Sequence, residues 1–186
     1  MGRKLSELSL EELWQLFPIF LMENQPCWKE WYQEEVILLQ NALPQTKRIS
    51  HIGSTAVSSI WAKAIVDILV EVPEGKRLTD YKDAIKSNGY VCMSESREWI
   101  SFNKGYTEAG FAERVFHLHL RHCGNNDELY FRDYLIDHPD AAKEYEELKL
   151  KLWKKYEHNR DAYTNAKTDF IKKYTQLAKN LYADRY

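Results

Sequence analysis

Seven residues, His51-Ile52-Gly53-Ser54-Thr55-Ala56-Val57, constrain this chain more than any other stretch. They read as a strand end, a Gly-Ser turn and a short helical segment. Beyond them Asp67 stands in Ala64-Ile65-Val66-Asp67-Ile68-Leu69-Val70-Glu71-Val72, an apolar strand carrying an acid. Gly53 has no Cβ, so backbone there can approach a ligand closely. The hydroxyls of Ser54 and Thr55, with N–H groups of the following turn, compose a small anion site. An acid facing that anion makes sense with a divalent metal between them. Val66, Ile68, Val70 and Val72 share one face of the strand, and Ile65, Asp67, Leu69 and Glu71 the other. A carboxylate in so apolar a strand is costly to bury unless paired or bound to metal. The other assignment open to Asp67 is a bond to neighbouring backbone or an arginine.

The next chemistry lies in a strand expected over 114–121. Phe116, Leu118 and Leu120 face one way, and Val115, His117 and His119 the other. Two imidazoles one pleat apart can hold a divalent metal or donate to phosphate oxygens. They can equally be hydrogen-bonded histidines at a sheet edge. Histidine ligands would shift preference from Mg²⁺ toward Mn²⁺ or Zn²⁺. Arg132 has a two-pronged donor edge suited to phosphate, or pairs with Asp133 or Glu128. Lys63, just before the Asp67 strand, is a phosphate candidate beside the Gly-Ser turn.

The remaining pattern places these motifs in an α+β fold, a mixed sheet with helices. Ser9 and Glu12 have capping-box spacing in an N-terminal helical leader, 1–24, which precedes a single domain, 25–186. A helix over 28–41 carries the apolar stripe Trp28, Tyr32, Val36 and Leu39, continued by Leu43. A strand over 47–52 delivers the turn. A helix over 80–87, strands over 90–93 and 98–103, and a loop over 104–110 follow. Asn126 and Asp127 open a helix, Pro139 starts another, with Tyr145, Leu148 and Leu152 inward, and Asp161 caps a last one with the stripe Tyr163, Ala166, Phe170, Tyr174, Leu177 and Leu181. The mixed Lys and Glu of this C-terminal part read as a solvated face.

At 186 residues with 44% hydrophobic content, the chain suits one soluble domain. No apolar run approaches the roughly 20 residues that span a bilayer, and the start is not a signal peptide. Cys27, Cys92 and Cys123 form neither a zinc motif nor a disulfide framework, which points to a reducing cytoplasm. A net charge of −2 argues against a general nucleic-acid surface while permitting a local basic pocket.

The turn and the acid resemble the nucleotidyltransferase superfamily, whose pattern is Gly-Gly or Gly-Ser, about a dozen residues, then Asp-apolar-Asp/Glu. More narrowly, His51-Ile52-Gly53-Ser54-Thr55-Ala56-Val57, Ala62-Lys63 and Val66-Asp67-Ile68 resemble the GrpB family of nucleotidyltransferase-like proteins. The likeness returns at His117-Leu118-His119, Phe131-Arg132-Asp133-Tyr134-Leu135, His138-Pro139, Tyr145 with Leu148-Lys149, and Tyr163 with Lys167 and Phe170-Ile171. It implies a nucleotidyltransferase-like fold with a helical C-terminal part. It implies a metal-dependent enzyme moving a nucleoside monophosphate from a nucleoside triphosphate to an unknown acceptor. Gly53, Ser54 and Thr55 would hold phosphates, and Asp67 with His117 and His119 the cation. Lys149 and Lys167, at motif positions, would reach the triphosphate from the helical side. The chain departs from the pattern at Leu69, where a second acid is expected; Glu71 lies roughly 13 Å along the strand from Asp67. Ser58-Ser59 and Ala64 replace residues that stiffen loops in the family. A non-catalytic nucleotide or metal sensor and a metal-dependent phosphohydrolase are the alternatives.

Overall fold

A computed structural model describes residues 4–183 and 185–186. The alternating stretches form one sheet of β1 (Arg48–Ile52), β2 (Val66–Val72), β3 (Val91–Glu95), β4 (Trp99–Thr107) and β5 (Gly110–His122), in the spatial order β1-β2-β5-β4-β3. The central pair, β2 and β5, is parallel, and the other pairs are antiparallel. Its register sets Asp67 opposite His117 and Leu69 opposite His119. Because side chains alternate along a strand, these residues share one face. The helices are α1 (Leu10–Leu16), α2 (Cys27–Ala42), α3 (Lys82–Ser87), α4 (Asp127–Asp137), α5 (Pro139–Tyr156), α6 (Arg160–Asn165) and α7 (Thr168–Tyr182). The expected α+β class with a mixed sheet is what forms.

The two sheet faces are built differently. Val66, Ile68, Val70 and Val72 join Phe116, Leu118, Leu120, Ile100 and Phe102 beneath Trp28 and Leu39 of α2 and Ile85 of α3. Each such side chain contributes about 1.5–3 kcal/mol on full burial, so this is the fold's main apolar store. On the other face, Leu69 packs with Ile52 and Leu129. Helices α4, α5 and α7 join through Leu135, Tyr145 and Tyr174, and take up Val57 and Ile60 from behind the Gly-Ser turn. A cavity of about 810 Å³ lies between this helical layer and the sheet.

The N-terminal segment is tied to the body. Ser9 Oγ accepts from Glu12 N–H at 3.2 Å, and Glu12 accepts from Ser9 N–H at 2.8 Å, which closes the expected capping box of α1. Phe17, Ile19 and Leu21 are buried, Ile19 N–H donates to the Glu157 carbonyl, and Met22 bridges to Ala62. Residues 1–3 of the leader lie outside the described residues.

Two expectations are corrected. The loop over 104–110 is a hairpin: β4 runs on to Thr107 and β5 begins at Gly110, with a register shift between Lys104 and Tyr106. Gly105 absorbs it at φ +92, where a Cβ would lie 2.2 Å from the Arg114 carbonyl oxygen. The last helix is two, α6 and α7, and the cap is Asn159, whose side chain accepts from Ala162 N–H. The break resets the helical phase. Thr175 and Ala178 are buried in α7 while Leu177 and Leu181 are exposed.

Candidate functional site

The turn after β1 places Gly53 at φ 71, ψ −173, a conformation essentially confined to glycine. Its close approach is to Asp67: a Cβ on Gly53 would lie 2.4 Å from Asp67 Oδ2. Ser54–Ala56 makes a single 3₁₀ turn, too short to add a helix dipole of consequence. Thr55 is buried, its hydroxyl donating to the Ile65 carbonyl and meeting His51 Nε2 at 2.9 Å. It braces the turn against the entrance to β2. Burial pushes the His51 imidazole down to about 4, and the neutral ring stacks on Tyr32.

Asp67, His117 and His119 converge as expected. Both His117 Nδ1 and His119 Nε2 lie 3.4 Å from Asp67 Oδ1. Burial works to raise the Asp67 carboxyl, but hydrogen bonds from the two imidazoles hold it below the usual carboxylate range. Arg160 Nη1 donates to the Tyr106 hydroxyl at 2.7 Å, and that hydroxyl meets His117 Nε2 at 2.8 Å. With its lone pair facing the guanidinium, the Tyr106 O–H donates a hydrogen bond to Nε2. His117 then carries its own proton on Nδ1, toward Asp67. Burial lowers the His117 pKa, which keeps the ring neutral.

The same cavity is lined by a basic wall, Lys149 and Lys167 from the C-terminal helical part and Lys63 from the segment before β2. Lys149, 2% exposed, donates to Ser54 Oγ at 3.1 Å and to the Trp61 carbonyl. Lys63 and Lys167 flank the buried Tyr163 ring at 5.7 and 4.4 Å. Burial, reinforced by neighbouring cations, pushes Lys63 and Lys149 down to about 7 and Lys167 to about 8. Arg132 lines the cavity, but its Nε and Nη2 close on Asp133 and its Nη1 on the His51 carbonyl. Of its two readings, the ion pair with Asp133 is the one formed.

The expected divalent centre meets an unfavourable donor set. No group of three or more His, Cys, Asp or Glu among the described residues is arranged to hold a metal ion. Leu69 is fully buried where a second acid is expected, and Glu71 is sealed by Arg48 and Asn126. Both nitrogens of His117 are engaged, and Asp67 Oδ2 rests on Gly53. These residues do not fit a metal site built by the protein alone.

Sequence reasoning did not single out Tyr106 or Arg160. Tyr106 follows the glycine bulge that reads as loop, and Arg160 follows a helix cap that reads as surface.

The comparisons agree with this architecture. The family described as GrpB protein matches residues 18–177. The glutamate-rich protein GrpB of Alkalihalophilus pseudofirmus is 33% identical over 161 residues, covering 82% of this chain and 91% of the relative. The protein YqkA of Bacillus subtilis is 33% identical over 156 residues, and this chain spans 45% of its length and 82% of its own. A crystal structure of the conserved protein GrpB from Enterococcus faecalis superposes with a TM-score of 0.76 at 31% identity, covering 88% of this chain and 99% of that one. The Cid1 poly(U) polymerase described as MgGTP bound shares the fold at a TM-score of 0.50 and 11% identity, over 79% of this chain and 47% of its own. The core carries a nucleotidyltransferase-like fold, and the chain belongs to the GrpB family.

Proposed function

We propose that the cavity binds a nucleoside triphosphate and that the protein is a nucleotidyltransferase, moving a nucleoside monophosphate onto a small acceptor. The observation that carries the reading is the charge of the lining. Seven basic side chains, Lys63, Arg132, Lys149, Lys167, Lys172, Lys173 and Lys179, line it against three acids, Asp67, Asp127 and Glu128, in a chain of net charge −2. A volume of about 810 Å³ suits a nucleotide.

In this reading the phosphates lie between Gly53-Ser54 and the lysine wall, with Lys149 already at Ser54. An acceptor hydroxyl attacks the α-phosphorus in line, and pyrophosphate leaves toward Lys149 and Lys167, whose charge stabilises it. Asp67, held ionised, is too weak a base to take the hydroxyl proton. His119, beside it and partly exposed to the cavity, takes that proton, and Asp67 stabilises the imidazolium. A cytoplasmic setting suits such a substrate. Among the described residues no helix is long and apolar enough to cross a membrane.

Buried Leu69 favours a second reading, nucleotide binding without turnover. Calorimetry with each nucleoside triphosphate, followed by pyrophosphate assay with a labelled acceptor mixture, separates the two. Binding with acceptor-dependent pyrophosphate release supports transfer, and binding without release supports the sensor. Absence of binding removes both.

A further inference from the structure

The lysine wall and the acids of the cavity differ in how well their charges are met: Asp127 pairs with Lys179 and Glu128 with Arg121, which leaves Asp67 as the carboxylate without a lysine or arginine partner among the described residues. The ammonium groups of Lys63 and Lys167 make no hydrogen bond or ion pair among the described residues, although both line the cavity and both press on Tyr163. Lys149 spends two donors on Ser54 Oγ and the Trp61 carbonyl. An ammonium group lacking an acceptor in a half-buried site is costly, and here two such groups share one cavity with Lys149 and one inward carboxylate from β2. That carboxylate is already held by two imidazoles. The unmet charge in this cavity is therefore positive, and its complement is a multiply charged anion.

We propose that Lys63, Lys149 and Lys167 supply the neutralising charge that a divalent metal would otherwise give, so that the cavity binds a triphosphate chain without any divalent cation. The inference rests on the nucleotide reading above. The shared chemistry is the triphosphate, borne by a nucleotide or by inorganic triphosphate. The burial-lowered pKa values of the three lysines agree with it, since an anion placed among them restores their protons.

The test is calorimetry on the full chain with ATP and with inorganic triphosphate, each in excess EDTA and in Mn²⁺. Expected is binding in EDTA within about threefold of that in Mn²⁺ for at least one ligand, and the tighter ligand identifies the source of the chain. Lys167→Met should weaken binding in EDTA by about tenfold or more, and Lys167→Arg, which keeps the charge, should retain most of it. Exposed Lys154, away from the cavity, gives a control: Lys154→Met should change nothing. Circular dichroism checks that each variant is folded. If Lys167→Met fails to fold, Lys63→Met takes its place with the same expectation. Binding that appears only with Mn²⁺ overturns the proposal and leaves the nucleotide reading standing. Absence of binding in both conditions overturns both.

Discussion

Asp67 and Glu71 stand two pleats apart on the same face of β2, yet their surroundings divide them. Glu71 is fully buried and closed off by the Arg48 guanidinium and the Asn126 amide. Asp67 keeps 27% of its side chain exposed to the cavity and touches two imidazoles rather than a permanent cation. Between them Leu69 is sealed by Ile52 and Leu129. The same strand thus holds one acid closed in by its partners and one open to the cavity, and the boundary between them is a single apolar side chain.

Breaking the structural acid should cost most. Glu71→Ala leaves buried Asn126 and partly exposed Arg48 without their shared acceptor and opens a gap in the buried layer, and should lower stability by about 3 kcal/mol by chemical denaturation. Glu71, Arg48 and Asn126 are not among the residues that line the cavity, so triphosphate affinity of the folded fraction should hold. Gly53→Ala comes next. It forces a side chain into a glycine-only conformation and against Asp67 Oδ2, a cost of about 2–3 kcal/mol. Unlike Glu71→Ala, it should also displace Asp67, so affinity and turnover should fall with stability.

Asp67→Asn sharpens the contrast from the other side. The folded protein holds the Asp67 carboxyl below its unfolded value, so ionised Asp67 stabilises the fold above about pH 4 and that contribution is lost as pH falls. Its contacts of 3.4 Å are long, so the variant should lose only about 1 kcal/mol at pH 7. Pyrophosphate release should fall by about 100-fold or more, because the imidazolium loses its partner. A stability loss as large as that of Glu71→Ala would make Asp67 a second structural acid.

Much of this contrast is legible in the sequence. Period-2 alternation puts Asp67 and Glu71 on one face and His117 and His119 on the matching face of another strand, and the parallel register joins them. What alternation cannot show is which acid is covered. That depends on Arg48 across the sheet and on Asn126 at the start of α4, which are contacts between distant segments. Lys149 was closer to hand. It lies four residues after Tyr145, on the inner face of α5, and so differs from the outward lysines of the same charge run. Tyr106 and Arg160 were hidden because a bulge and a helix break shift the phase on which such patterns rely.

The smallest effect tests the basic wall by pH. In the folded protein Lys63 and Lys149 titrate near 7 and Lys167 near 8, against 10.5 for an ordinary lysine. Between these values the unfolded chain binds more protons than the folded one, so these groups make the free protein more stable as pH rises from about 7 toward 10. A bound triphosphate favours the charged lysines and reverses the slope. The rise in melting temperature given by saturating inorganic triphosphate should therefore be larger at pH 6.5 than at pH 9, by a few degrees. At pH 8, calorimetry in buffers of different ionisation enthalpy should show net proton uptake on binding. A pH-independent stabilisation with no proton uptake would mean that the lysines keep their protons in the free protein, and that the wall differs from the solvated lysines elsewhere on α5 only in position.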